Sequence, residues 1–264
     1  MVCHILCCRW FRCLNFRLME KHKVIHEAQF ELPDIEINTE GDVLLVDKPY
    51  RCTSFDVVGK VRQYIRRKYQ QKVKVGHAGT LDPLASGLLI ICVGKFTKQI
   101  DNYQAQEKEY TGTIRLGATT PSFDLEKPID AKYPYEHITS EMVEEVCQKF
   151  IGDIEQVPPQ FSAIRMGGRR AYEMAREGEE APILPRQISI PAFDITRFEL
   201  PDIDFRIVCS NGTYIRSIAR DFGVELESGA HLTALRRTRI GEFKVENAIQ
   251  MVPKTEEKTP NNIM

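Results

Sequence analysis

The chain has 264 residues, 42% of them hydrophobic and 28% charged, a balance that excludes wholesale disorder and leaves ample material for a buried core. No apolar run reaches the roughly 18 to 20 residues that cross a bilayer. The formal net charge of -1 excludes a polycation, so a nucleic-acid partner would have to meet a local basic face.

Residues 1–18 (MVCHILCCRWFRCLNFRL) carry Arg9, Arg12 and Arg17 and no acid. The arginines interrupt the apolar run, unlike a secretory signal, whose charge comes first. An organelle-targeting leader, a palmitoylated anchor and an extended reading frame truly starting at Met19 all fit. Residues 1–40 are set apart as a leader, expected to be disordered or an extended start. Cysteines crowd this segment (Cys3, Cys7, Cys8, Cys13), whereas Cys52, Cys92, Cys147 and Cys209 stand singly. No C-x-x-C pair occurs, so no structural metal is expected. Cys92 and Cys209 follow apolar runs and read as small buried hydrophobes of a reducing, cytoplasmic protein.

Gly41 to Lys48 (GDVLLVDK) reads as a short buried strand ended by Pro49. Thr53 or Ser54 caps a following helix whose apolar positions Val57, Val58, Val61, Tyr64 and Ile65 fall at helical spacing. From Lys48 to Lys74 there are nine basic residues against the single acid Asp56, a local charge of +8. Such a run is either a solvated helix face or a phosphate-binding one. A glycine-rich loop from Gly76 to Gly87 leads into a strand over Leu88 to Val93. Tyr110 to Leu116 alternates as a strand, and Ile138 to Ile151 is an amphipathic helix opened by Thr139 and closed by Gly152. Gly167-Gly168 make a turn, Ile188 to Leu200 and Phe205 to Cys209 read as strands, and Asn211-Gly212 turn the chain into a helix near Thr213. Arg239 to Val245 is the last predicted strand, and residues 251–264 form a polar tail. Strands outnumber helices and short turns join them. The expected fold class is therefore α+β, a mixed, largely antiparallel central sheet with flanking helices, in one catalytic domain over residues 41–250.

The segment Gly76-His77-Ala78-Gly79-Thr80-Leu81-Asp82-Pro83-Leu84-Ala85-Ser86-Gly87 sets one carboxylate among small residues just before a buried strand. By itself this is either a turn aspartate or an acid presented at a sheet edge. No second carboxylate lies nearby in sequence, so paired acid–base chemistry of the glycosidase kind is not visible.

This segment resembles, at every position, the motif of the TruB-type pseudouridine synthases. Val46-Asp47-Lys48-Pro49, Lys108-Glu109-Tyr110, Cys209 to Ser217 (CSNGTYIRS) and Gly229 to Arg237 (GAHLTALRR) resemble further blocks of that family in the same order, so the resemblance spans about residues 41 to 250. It implies a pseudouridine-synthase-like fold and isomerisation of uridine 55 in the tRNA T-loop, without metal or organic cofactor. Asp82 is similar to the family's nucleophile. Tyr110 resembles the tyrosine that stacks on the flipped base, and His77 the histidine that fills the space the nucleotide leaves. Arg216 resembles the arginine paired with the carboxylate; Tyr214 and Leu235 resemble pocket residues, and Lys48 lies near the pocket base, although a solvated surface lysine is its plainer reading. Residues 160–187, with Arg165, Arg169, Arg170 and Arg176, resemble an RNA-gripping insertion.

Arg51 stands where the family usually has glycine, so the turn there is expected to differ. The chain ends soon after Leu235-Arg236-Arg237, so an extra RNA-binding domain is not expected. That short tail weighs against the guide-RNA-dependent branch of the family. The partner expected is the T-stem-loop of tRNA, bound by a monomer with no obligate protein partner and no membrane. A catalytically silent tRNA-folding chaperone is the rival of another class. A carboxylate hydrolase is disfavoured by the lack of a partner acid or metal motif near Asp82.

Overall fold

The computed structural model describes residues 30–253. Strand β1 (Gly41–Lys48) has the predicted bounds. Helix α1 (Ser54–Tyr69) follows, and Thr53 caps it: Asp56 N donates to Thr53 Oγ1 at 3.0 Å and Thr53 N to Asp56 Oδ2 at 2.9 Å. This reciprocal pairing satisfies amide groups that the first helical turn leaves open. Val57, Val58, Val61, Tyr64 and Ile65 face the sheet, while Arg66 and Arg67 face solvent.

Strand β2 (Val75–Ala78) takes Gly76 and His77 out of the expected loop, which shrinks to residues 79–85 before β3 (Ser86–Gly94). Leu89, Ile91 and Val93 of β3 pack with α1, and Leu88, Ile90 and Cys92 pack with Ile240 and Val245 on the other face. Burial on both faces explains the unbroken apolar run, since neither face has to meet water. Helix α2 (Ile100–Ala105) and strand β4 (Lys108–Leu116) come next, then α3 (Ser140–Phe150), capped by Thr139 as expected. The chain continues through β5 (Gly152–Gln156), α4 (Ala171–Arg176), β6 (Arg186–Ile190), β7 (Ala192–Glu199), β8 (Asp202–Cys209), α5 (Ile215–Glu225) and β9 (Ala230–Ile240).

The main sheet runs β7-β8-β4-β9-β3-β1, with Ile249–Gln250 beyond β1. Its neighbours are antiparallel except β9 with β3 and Ile249–Gln250 with β1. The mixed, largely antiparallel sheet with flanking helices is as the sequence predicts. Two elements differ. The predicted strand over Ile188 to Leu200 breaks at Pro191, where no ladder hydrogen bond can be donated; β6 pairs with β5 apart from the sheet, and β7 forms its edge. The strand predicted over Arg239 to Val245 is instead the end of β9, which lies inside the sheet, and a two-residue return at Phe243–Lys244, and the short strands Ile249–Gln250 and Val252–Pro253 follow it.

The boundary expected at residue 41 falls inside the packed chain. Phe30–Glu31 pairs with Val252–Pro253, Leu32 and Ile37 are buried, and Asp34 and Glu36 each lie 2.8 Å from Lys68 Nζ. Residues 30–40 are therefore packed structure, not leader, and the expected polar tail opens on a buried Met251. The remaining leader and tail, residues 1–29 and 254–264, lie outside the described residues. Among the described residues, no helix is long and apolar enough to cross a membrane.

Candidate active site

The β9–β3 contact is short, pairing only Arg236 with Ser86 and Arg237 with Gly87, and it joins the two halves of the sheet. Asp82 sits on the loop that feeds this seam. Four neighbours hold that loop. Leu81 N donates to Ser54 Oγ at 2.8 Å, and Ser54 Oγ donates to Leu81 O at 3.1 Å. Arg51 N donates to Pro83 O at 2.8 Å. From below, Arg237 donates to Leu88 O at 2.8 Å and to Gly79 O at 3.2 Å. Arg237 is 1% exposed, so its planar guanidinium is spent on main-chain carbonyls. Gly87 completes the seam: its φ is +104°, and a Cβ there would stand 2.3 Å from Arg237 O. Only glycine permits that approach.

The fourth neighbour meets the carboxylate. Arg216 Nη2 donates to Asp82 Oδ1 at 3.1 Å. Arg216 Nε lies 2.8 Å from Asp82 Oδ2, but its N–H is not aimed there, so this second contact is ionic and not a hydrogen bond. The Arg216 side chain is 5% exposed and the Asp82 side chain 36%. The cation is thus a buried anchor and the acid the accessible member of the pair. Arg216 is fixed further by donating to Phe161 O at 3.0 Å and to Ser122 O at 3.3 Å.

A second carboxylate, absent from the sequence expectation, completes the group. Asp124 is 7% exposed, and its Oδ2 lies 3.8 Å from Arg216 Nε. Asp124 is held by Glu126 N, which donates to its Oδ1 at 2.9 Å, and Thr120 Oγ1 donates to its carbonyl at 2.7 Å. Burial works against the charge of Arg216; Asp82 and then Asp124 outweigh it, so the guanidinium ends above its ordinary pKa. Asp82, Asp124 and Arg216 line one small cavity with Leu84, Leu125 and Leu235. The cavity holds about 20 Å³, room for a water but not for a uracil. A broader cleft of about 450 Å³ adjoins it, sharing Leu84, Thr233, Ala234 and Leu235 and reaching Tyr50 and Arg236.

The structure therefore brings Asp82, Arg216 and Leu235 together as expected. Lys48 is not a solvated surface lysine: it is fully buried, and its Nζ donates to Cys52 O at 2.5 Å and Pro49 O at 3.1 Å. Burial lowers it to about 8, with Cys52 and then Asp82 opposing. Tyr110 is 8% exposed and packs in the core with Leu81 and Ala85, off the cavity lining. Burial raises its hydroxyl above the ordinary value, with the Arg237 charge working the other way. His77 also stands off the lining; burial and then Arg237 lower its ring pKa, and its Nδ1 has no partner among the described residues. Tyr214 precedes α5, where its N donates to Gln156 Oε1 at 2.8 Å and its ring lies 5.1 Å from the Arg186 guanidinium.

Arg51 takes φ +62°, the left-handed conformation open to glycine, at a cost of about 1–2 kcal/mol for a residue with a Cβ. The pinned loop, not the side chain, dictates that angle through Arg51 N and Pro83 O.

Residues 66–215 match the family model "TruB family pseudouridylate synthase (N terminal domain)", more than half of the chain. The chain belongs to the TruB family of pseudouridylate synthases. A second TruB model, "tRNA pseudouridylate synthase B C-terminal domain", matches residues 216–254. Of these, residues 216–253 include α5, β9 and the edge of the central sheet, built into the fold. The chain is 56% identical to "tRNA pseudouridine synthase B" of Phocaeicola vulgatus over 213 residues, 80% of this chain and 91% of that TruB relative. The same name is carried by a Flavobacterium johnsoniae protein, 56% identical over 214 residues, 80% of this chain and 93% of the relative. Among solved structures, a Cbf5-Nop10-Gar1 complex matches with TM-score 0.59 and 29% identity over 80% of this chain and 52% of that one. The TruB-family chain described here thus spans about half the length of that structure's chain.

Proposed function

We propose that the chain isomerises uridine to pseudouridine at position 55 of the tRNA T-loop, with Asp82 acting on an everted uridine. In that reaction the N1–C1′ bond breaks, a C5–C1′ bond forms, C5 gives up its proton and N1 gains one. Atoms and electrons balance without a co-substrate. A fixed, partly exposed carboxylate serves attack at C1′ or C6 and also serves a bond-broken state, since each needs a negative oxygen held in place. The observation that carries the reading is the Asp82–Arg216 pair, an accessible acid on a pinned loop against a buried cation.

Leu235 and Leu84 are the apolar walls against which the uracil would lie, and the exposed Leu125 at the same cavity is the side chain that has to yield. Tyr110, His77 and Tyr214, none of which lines the cavity, take the roles toward the everted base that the family resemblance implies. The exposed face of α1 offers Arg66 and Arg67 to the RNA backbone. The arm at 160–187 contributes Arg165, whereas Arg169 is bound by Glu177 and Glu179. The protein works as a monomer in the cytoplasm without an obligate protein partner; its described cysteines, all free and buried, suit a reducing compartment.

A guide-RNA-dependent activity is the second reading, because the Cbf5-Nop10-Gar1 structure is similar too. The greater identity, 56% against 29%, lies with relatives named for tRNA. Incubation with a tRNA transcript carrying 5-tritiated uridine, and no guide RNA, tests the proposal. One tritium released per tRNA is expected; release only on addition of a guide RNA would overturn it.

A further inference from the structure

Four non-glycine residues among the described ones have positive φ: Arg51, Gln70, Phe123 and Glu227. Three have local reasons. Gln70 closes α1, Glu227 N donates to Val224 O at the end of α5, and Phe123 O accepts from Leu232 N while its ring lies 5.0 Å from the Arg220 guanidinium. Arg51 has a backbone reason only. Glycine would keep the same φ and the same Arg51 N to Pro83 O bond without strain, so the main chain gives no ground for an arginine. The ground must lie in the side chain.

That side chain is exposed, and no carboxylate among the described residues lies within salt-bridge distance of it. Its guanidinium carbon sits 5.5 Å from the centre of the Tyr50 ring. Tyr50 is 45% exposed and lines the 450 Å³ cleft that continues from the Asp82 cavity. The charges already in that cleft are committed: Arg236 to Asp47 at 2.7 Å, and Asp204 to Arg197 at 2.7 Å. An unpaired guanidinium braced on an aromatic ring, on the segment clipped to the catalytic loop, suits an anion that follows a nucleobase into the cleft.

We propose that Arg51, braced by Tyr50, binds a phosphodiester of the substrate RNA beside the everted uridine. Substrate grip and the Asp82 loop are thereby tied through the single hydrogen bond from Arg51 to Pro83. This rests on the reading of the chain as a tRNA pseudouridine synthase.

The test compares the full chain with Arg51→Gly and Arg51→Lys. Affinity for unmodified tRNA is measured from 50 to 200 mM salt, together with kcat, KM and thermal unfolding. Arg51→Gly is expected to unfold at the same or a higher temperature, since strain is relieved. It should bind about tenfold more weakly, with the loss carried mainly by KM, and its log Kd against log salt slope should fall by about one. Arg51→Lys should keep the wild-type slope. The proposal is overturned if Arg51→Gly matches wild type in affinity and slope, or if kcat falls while the slope stays unchanged. If wild type binds tRNA with the Arg51-dependent slope yet forms no pseudouridine, the phosphate contact stands and the proposed activity fails. If wild type does not bind tRNA, both fail.

Discussion

Arg216 Nη2 donates to Asp82 Oδ1 at 3.1 Å, and the same guanidinium stands 3.8 Å from Asp124 through its Nε. One buried cation therefore serves two acids, of which Asp82 alone is substantially open to solvent. Removing the cation leaves a buried Asp124 carboxylate uncompensated and facing the charge of the more exposed Asp82. Arg216→Leu is expected to cost about 3–5 kcal/mol of stability in urea unfolding and to abolish turnover. Adding Asp124→Asn to Arg216→Leu should restore part of that stability, because one uncompensated charge is gone. An unchanged double variant would contradict the shared arrangement.

Gly87 carries the second prediction. At Gly178, where φ is +79° and nothing lies within 4 Å of an added Cβ, alanine should cost only about 1 kcal/mol. Gly87→Ala adds a collision 2.3 Å from the Arg237 carbonyl, at the seam of the sheet. The loss there should be on the order of 3 kcal/mol, with a matching fall in turnover as the Asp82 loop shifts. Thermal unfolding of the two variants side by side gives the comparison.

How much of this was legible in the sequence depended on how each residue earns its place. The strand β1 and the helices α1 and α3 were readable because their apolar periods and caps are local. Strand β9 was not, since Arg236, Arg237 and Arg239 give it a polar look. Those charges are bonded to Asp47, to main-chain carbonyls and to Glu107, partners that only the fold supplies. Asp82 and Arg216 could be found through motif resemblance. Asp124 lies in neither motif and reaches Arg216 only through the folded chain. The family resemblance puts Lys48 near the pocket base, but the residues alone read as a surface lysine, because nothing in VDKP says that its ammonium will be sealed against two carbonyls.

The buried lysine gives a pH prediction. Lys48 titrates at about 8 in the folded protein against an ordinary 10.5, so between those values the unfolded chain holds a proton that the folded chain lacks. Stability from this group therefore rises with pH across that window, and the full cost of burying the charge applies below pH 8. The contribution amounts to about 3 kcal/mol. The unfolding free energy of wild type minus that of Lys48→Met should increase from pH 7.5 to 10.5; a flat difference would show that Lys48 is not the titrating group.

The central claim is that the carboxylate of Asp82 performs the isomerisation. The most direct measurement incubates wild type and Asp82→Asn with unmodified tRNA transcript and maps pseudouridine by reverse-transcription stops after carbodiimide treatment. Wild type should give a single stop in the T-loop, and Asp82→Asn should give none while still binding the tRNA. A T-loop stop of wild-type intensity and rate from Asp82→Asn would contradict the account.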